Sequence, residues 1–244
     1  MITKNTARIL AVTAVTISVS MSAFASGEKA AETIQAADAG VIDAGVAAKK
    51  FIDVQPDSEW KPLTFYSGDV NYYSIREEDG VKVIHAEYKD GLDTVILHRK
   101  LNKSGRYSRI EWKWHAVKFP EGGDENNAAK NDSVASVYVF FKSGVRKFVL
   151  KYVWSAAAAK GYNYRRPGSN YFDKMQLIVC ESPPNKPGEW RTESIDIASD
   201  FRKYFYDGDP NAEVPPVAGI GILTDGDQTH STVIADYTGF KLIE

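Results

Sequence analysis

Beyond Trp60 the chain alternates short runs of β-branched and aromatic residues with turn signals, at intervals of about ten residues. Segments such as Glu78-Asp79-Gly80 and Lys89-Asp90-Gly91 supply the residues that tight reversals require. The predicted strands are 63–66, 72–75, 81–88, 94–101, 109–117, 134–141, 147–154, 174–180, 190–197, 217–224 and 232–242. This regular punctuation predicts an all-β domain.

Only one later stretch has a helical pattern. It runs from Ala198 to Tyr206, with Asp196 and Ser199 as candidate N-terminal caps. Because helices do not alternate with the strands, the chain has no route to a parallel βαβ sheet or a doubly wound nucleotide-binding fold. We therefore predict an antiparallel β-sandwich, jelly-roll-like, with one short helix.

Period-two alternation indicates which strand faces are buried. In 109–117 the core-facing set is Ile110, Trp112, Trp114 and Ala116. In 147–154 one face carries Phe148, Leu150, Tyr152 and Trp154, and the other face, with Val149 and Val153, is also largely apolar. A strand that is apolar on both faces is expected near the centre of a sheet.

The N-terminal segment is expected to lie outside the fold. Residues 1–25 combine Lys4 and Arg8, a short apolar stretch and the small-x-small site Ala23-Phe24-Ala25, which is typical of a cleaved signal peptide. The stretch is too short to span a membrane. Residues 26–50 are Ala-rich and read as a tether, which leaves 51–244 as a single β-sandwich domain. The expected location is periplasmic or secreted, with no membrane span after cleavage.

Charge and cysteine content narrow the function classes. The net charge is −2, and removing the signal leaves 28 basic and 32 acidic residues, a charge of −4. Such a balance offers no general attraction to a phosphate backbone, so no nucleic-acid partner is expected. The single cysteine, Cys180, cannot form an internal disulfide, and no cysteine cluster exists to hold zinc.

Aromatic residues supply the candidate ligand site. Tyr162 and Tyr164 are predicted to sit in a loop beside Arg165 and Arg166, where nothing obliges them to be buried. Tyrosine and tryptophan on a β-surface can stack on sugar rings, while arginines bond hydroxyl or carboxylate groups. Two further stacking residues are proposed on the strand at 147–154, namely Tyr152 and Trp154. The alternative is that the aromatics only fill the space between the sheets.

One turn has the composition of a metal site. In Thr224-Asp225-Gly226-Asp227-Gln228-Thr229 the carboxylates of Asp225 and Asp227 can approach each other, and hard oxygen ligands suit Ca²⁺. The EF-hand register fails, because His230 stands where that loop demands Gly. A solvated turn is the alternative, and no other cofactor is expected.

Catalytic motifs are mostly missing from the sequence. It contains no Gly-x-Ser-x-Gly elbow, no His-Glu-x-x-His and no Gly-rich phosphate loop. The four histidines occur singly, and His115 is the first candidate for a base. The sequence therefore favours noncatalytic binding of a glycan or cell-envelope polysaccharide. A polysaccharide lyase or hydrolase is one alternative, and an envelope assembly protein is another.

Several motifs follow one another in an order that resembles the bacterial exported family called domain of unknown function 3047. They are Trp60-Lys61-Pro62-Leu63, Trp112-Lys113-Trp114, Asp132 before Val137-Tyr138-Val139-Phe140, Tyr152-Val153-Trp154, Trp190, Asp200-Phe201-Arg202 with Phe205, and Thr224 to Thr229. The resemblance spans most of the chain from Trp60 to Phe240. It implies one β-rich exported domain and supplies no reaction.

Overall fold

The computed structural model describes residues 50–63, 72–168, 172–183 and 187–244. Within these ranges the chain forms thirteen strands and one helix. They are β1 (Phe51–Val54), β2 (Lys61–Pro62), β3 (Tyr73–Glu78), β4 (Val81–Tyr88), β5 (Leu97–Gly105), β6 (Arg109–Lys118), β7 (Ala135–Ser143), β8 (Arg146–Trp154), β9 (Asn163–Arg166), β10 (Lys174–Glu181), β11 (Trp190–Asp196), α1 (Ile197–Phe205), β12 (Val217–Leu223) and β13 (Val233–Ile243). The predicted signal peptide, nearly all of the predicted tether and most of the predicted strand at 63–66 lie outside the described residues.

The strands form two sheets. Sheet one has the order β11-β6-β13-β4-β3, with β1 also paired to β13, and sheet two has the order β2-β5-β12-β7-β8-β10-β9. The predicted all-β sandwich with one helix is confirmed. One pairing departs from the antiparallel prediction, since β10 runs parallel to β8. The chain leaves β8, forms the edge strand β9 and returns as β10 between them, so β10 repeats the direction of β8.

Aromatic side chains fill the space between the sheets. The alternation predicted for β6 is confirmed, because Ile110, Trp112, Trp114 and Ala116 are all fully buried. Trp112 of sheet one lies 5.7 Å from Tyr152 of sheet two, and Trp114 lies 5.8 Å from Trp154, measured between ring centroids. Burying each such side chain stabilises the fold by several kcal/mol, at roughly 25 cal/mol per Å².

The helix closes one end of this core. Asp196 caps it by accepting a hydrogen bond from the Ser199 amide at 2.8 Å, as the sequence predicted. The buried face of α1 carries Ile197, Phe201 and Phe205. The Phe201 ring lies 4.7 Å from Phe141 and 5.4 Å from Phe148, both on the core face of sheet two. Among the described residues no helix is long and apolar enough to cross a membrane.

Removing the Phe201 ring should strongly destabilise the domain. Phe201→Ala leaves a cavity between α1 and sheet two and is expected to lower the free energy of unfolding by about 3–5 kcal/mol, measured by urea denaturation. Tyr206→Ala is the matched control, because this neighbouring ring is 39% exposed and should cost less than about 1.5 kcal/mol. Equal costs for the two variants would contradict the packing of Phe201 between α1 and sheet two.

Candidate functional site

Tyr152 and Trp154 require a correction to the predicted ligand site. Their side chains are 0% and 1% exposed, because their positions on β8 point towards sheet one. The Tyr152 hydroxyl donates a hydrogen bond to Asp200 of α1 at 3.0 Å. Both rings are therefore part of the core, and neither can stack on a ligand in this structure.

The opposite face of sheet two carries a second apolar surface. Strand alternation turns Val149, Lys151 and Val153 of β8 to this side, and strand pairing places Tyr138 beside Lys151. We call this surface the outer face. Its other members include Phe140, Tyr164, Arg166, Met175, Leu177, Val179, Gly221, Leu223 and His98. None of the described strands, nor the helix, packs over it, but most of its side chains are buried, and the Tyr138 ring is only 4% exposed. The rings of this face that are partly exposed are those of Phe140, Tyr164 and His98.

Three rings form the centre of the outer face. Tyr138 and Phe140 stack with ring centroids 6.0 Å apart and ring planes 10° apart, and His98 meets Phe140 edge-on at 5.0 Å. The strand beneath them has no side chain at Gly221, where an added Cβ would lie 3.0 Å from Phe140 and 2.8 Å from Ile96. Glycine thus lets these side chains lie directly on the sheet backbone. Burial, reinforced by the charge of Lys100, lowers the pKa of His98 to about 4, so its ring is neutral at pH 7.

Lys151 is the buried cation of the outer face, and sequence reasoning did not single it out as a functional residue. It is 6% exposed, and its ammonium group lies 5.5 Å from the Tyr138 ring centroid. Burial lowers the Lys151 pKa, an effect opposed by the negative charges of Asp225 and Glu125. Its only sequence signal is a lysine within an otherwise apolar central strand. Such a residue needs a partner or a function.

The predicted loop around Tyr162 contains a strand. Residues 163–166 form β9, the edge strand that pairs with β10. Tyr164 and Arg166 belong to the outer face, and Tyr162 packs beside Tyr164 with a centroid distance of 6.1 Å. Arg165 points to the other side, where its guanidinium lies 5.4 Å from the Phe205 ring centroid. Of the four predicted residues, three therefore border the same surface and Arg165 does not.

A cluster of three carboxylates lies where β12 ends. One oxygen each from Asp132, Asp225 and Asp227 lies within 4.8 Å of the others. Asp132 accepts hydrogen bonds from the Thr229 amide at 2.7 Å and the Thr229 hydroxyl at 2.6 Å. Sequence reasoning singled out Asp225 and Asp227 as metal ligands but not Asp132, which comes from a distant part of the chain.

The electrostatics of this cluster are unfavourable for three ionised groups. Burial raises the pKa of Asp225 well above its ordinary value, and the neighbouring Asp227 raises it further. Burial also raises the pKa of Asp132, against the hydrogen bonds from Thr229 and Gln228. The same carboxylates act on Tyr88, whose pKa burial and their negative charge raise to about 12. The cluster therefore favours an added positive charge.

His115 lies on the solvent-facing side of sheet one. Its Nδ1 lies 3.0 Å from Asp236, whose other oxygen lies 2.6 Å from Nδ1 of His85. The His115 ring stacks against Trp190 with centroids 5.1 Å apart, and its Nε2 is buried without a hydrogen-bond partner. A base must reach its substrate proton. Nε2, the His115 nitrogen that does not contact Asp236, is buried and so does not meet this requirement.

Glu193 is a buried carboxylate at another edge of the sandwich. The side chain is 8% exposed, and its Oε1 accepts no hydrogen bond among the described residues. Burial, together with the charge of Glu181, raises the Glu193 pKa to about 7. Sequence alternation could not reveal the proximity of Glu193 to Glu181, because Glu181 belongs to the other sheet.

A family model for proteins of unknown function, DUF3047, matches residues 58–241. The chain belongs to the DUF3047 family. The resemblance identified from the motifs is thereby confirmed. A comparison of this DUF3047 chain with curated proteins found no match.

Solved structures share the general architecture of this DUF3047 protein at low identity. A family 11 carbohydrate-binding module from Clostridium thermocellum is 14% identical, with 80% of this chain and 95% of that chain covered and a TM-score of 0.43. The endoglucanase cel12A from Rhodothermus marinus is 10% identical, with 80% and 96% covered and a TM-score of 0.45. Endoglucanase 3 from Trichoderma harzianum is 8% identical, with 81% and 98% covered and a TM-score of 0.40. Likeness at this level carries no argument about what the DUF3047 chain binds.

The raised pKa of Glu193 predicts a pH dependence of stability. Between the ordinary glutamate pKa near 4.5 and the folded value of about 7, the native state holds a proton that the unfolded state has lost, so this group lowers stability as pH rises. Glu193→Gln should remove that loss. The free energy of unfolding of the variant, measured relative to the parent, should therefore be roughly 2–3 kcal/mol higher at pH 8 than at pH 4.5. Urea denaturation across this pH range measures the difference between variant and parent.

Glu77→Gln serves as the control, because Glu77 is exposed on β3. Its pH profile should parallel that of the parent. A Glu193→Gln profile that also parallels the parent would contradict the assignment.

Proposed function

We propose that this DUF3047 protein is exported and binds a glycan on the outer face of sheet two without catalysing a reaction. The observation that carries this proposal is a sheet face with partly exposed aromatic rings that no described strand or helix covers. A flat ring on a sheet presents a stacking surface for the C–H groups of a sugar, and burying that surface favours binding. The same face presents an exposed cationic donor at Arg166.

The arrangement of these groups supports an oligosaccharide ligand. In the sheet, β7 and β9 are separated by three strand-to-strand steps, which places Phe140 and Arg166, aligned across the sheet, about 14 Å apart. The partly exposed ring of Tyr164 lies on the same strand as Arg166. A single sugar ring cannot contact both ends of this surface, whereas a chain of sugars can.

The chemistry of the polar groups supports a ligand rich in hydroxyl or carboxylate oxygens. A lysine ammonium and an arginine guanidinium are donors without acceptor capacity. Arg166 is exposed at the edge of the outer face, where a ligand can reach it, while Lys151 is buried at its centre between Tyr138 and Leu177. A cell-envelope polysaccharide has such acceptor groups, and export of the chain would bring it to the same compartment.

Removing two rings from the outer face should weaken glycan binding. For the double variant Phe140→Ala/Tyr164→Ala we expect about a 10- to 100-fold loss of affinity, since each aromatic contact contributes on the order of 1 kcal/mol. The measurement is titration calorimetry with neutral and acidic oligosaccharides that bind the parent protein, and longer chains should bind more tightly than monosaccharides.

Trp190→Ala is the matched control. Trp190 is a partly exposed ring on sheet one, 39% exposed, and its loss should leave affinity unchanged. If the double variant binds as the parent does, or if Trp190→Ala alone abolishes binding, the outer face of sheet two is not the site. Unchanged thermal melting in the variants shows that folding is not the cause.

The hydrogen bond between His115 and Asp236 favours a second candidate, a polysaccharide lyase or hydrolase with His115 as the base. The carboxylate holds the imidazole in place, as an orienting group for a base does. The covered Nε2 counts against it. Release of new reducing ends or unsaturated products from a bound polysaccharide, lost in His115→Ala, would replace the binding proposal with this one.

A further inference from the structure

Two distant chain segments meet to form the carboxylate cluster. The Asp225 amide donates a hydrogen bond to the Ser133 carbonyl at 3.2 Å, which joins the turn after β12 to the segment before β7. Between the two aspartates of the turn, Gly226 leaves no room for a side chain: an added Cβ would lie 2.5 Å from the Ser231 carbonyl oxygen and 2.9 Å from the Tyr88 ring. The backbone therefore holds the Asp225 and Asp227 carboxylates together next to Asp132.

The oxygens of this cluster are not all satisfied. Asp132 is held by donors from Gln228 and Thr229. Asp225, by contrast, is more than nine-tenths buried, since only 8% of it is exposed. Its Oδ1 accepts no hydrogen bond among the described residues. The Oδ1 of Asp227 and the side-chain oxygen of Gln228 are also buried without a donor. A buried carboxylate oxygen without a partner is costly, and a bound cation supplies the missing interaction.

The positive charge near the cluster is too small to balance its carboxylates. The positive charge of Lys151 acts on Asp225, and one positive charge can oppose only one of the three carboxylates. Glu125 adds a fourth carboxylate near Lys151. A lysine alone therefore does not balance the group.

We propose that Asp132, Asp225 and Asp227 bind a calcium ion. The donors are oxygen atoms only, with neither histidine nor cysteine in the cluster, which disfavours zinc and copper. Several carboxylates from a rigid turn suit Ca²⁺, whereas Mg²⁺ retains most of its water and uses one or two carboxylates. The site does not use the rings of the outer face, because Asp225 and Asp227 follow the end of β12 and Asp132 precedes β7. Lys151 of the outer face acts on Asp225 through its charge.

The test is the calcium dependence of thermal stability in the purified protein. After treatment with EDTA, added Ca²⁺ should raise the melting temperature by roughly 5–10 °C at a concentration 100 times the dissociation constant. Titration calorimetry should show one ion per chain. In Asp225→Asn/Asp227→Asn the rise should disappear, and the variant should melt no lower than the EDTA-treated parent, because the repulsion between the carboxylates is gone.

The chain contains a matched control with the same tripeptide. Asp207-Gly208-Asp209 repeats the Asp-Gly-Asp spacing, but all three of its residues are exposed. Asp207→Asn/Asp209→Asn should retain the full response to calcium. A calcium response that persists in Asp225→Asn/Asp227→Asn, or its loss in the control variant, would overturn the site, as would no response in the parent. A larger response to Mg²⁺ would overturn the assignment to calcium.

A variant of Lys151 tests whether the lysine ammonium group takes the place of the calcium ion. Lys151→Met removes the positive charge acting on Asp225 and should tighten calcium binding by about tenfold, with one ion still bound. If instead the parent binds no calcium and Lys151→Met is destabilised at every calcium concentration, the ammonium group is the sole counter-charge and the proposal fails.

Discussion

The contact between the two sheets depends on burying a layer of large aromatic rings, and this constrains where a ligand can bind. Trp112 and Trp114 of sheet one meet Tyr152 and Trp154 of sheet two with little or no exposure to solvent. Since these rings supply much of the stabilisation of the fold, they cannot also contact a ligand. The proposed glycan site therefore uses side chains outside this layer. The central strands of sheet two are apolar on both faces, so a second set of rings lies on the outer face.

Most of the strand framework could be predicted because local alternation reflects burial. The predicted strand 81–88 coincides with β4, and 109–117 differs from β6 by one residue. The helix was displaced by one residue, with its Asp196 cap correctly recognised. β9 was missed because Asn163–Arg166 has four polar or half-polar residues, and its strand geometry comes from pairing with β10 rather than from local preference. The parallel pairing of β8 and β10 follows from that same missed strand.

The candidate sites were less predictable, because alternation identifies two faces but not which one is covered. On β8 the face with Tyr152 and Trp154 carries the largest rings, and for that reason the sequence favours it over the face with Val149 and Val153, on which the glycan site is now proposed. Asp225 and Asp227 could be recognised together because they are two residues apart. Asp132 could not be added to them from spacing, since only the pairing of β7 with β12 brings it there.

A buried cluster of like charges needs a reason to persist, since replacing carboxylates with neutral groups would ordinarily stabilise a fold. Asp132 has a structural reason, because its carboxylate accepts hydrogen bonds from the Gln228 and Thr229 amides and so holds this segment in place. Asp225 and Asp227 have no such bond at their Oδ1 atoms, although both are fixed by the tight packing around Gly226. Hydrogen bonding thus explains one carboxylate of the three. The proposed calcium ion explains the other two, because it supplies the partner that the Oδ1 atoms of Asp225 and Asp227 lack.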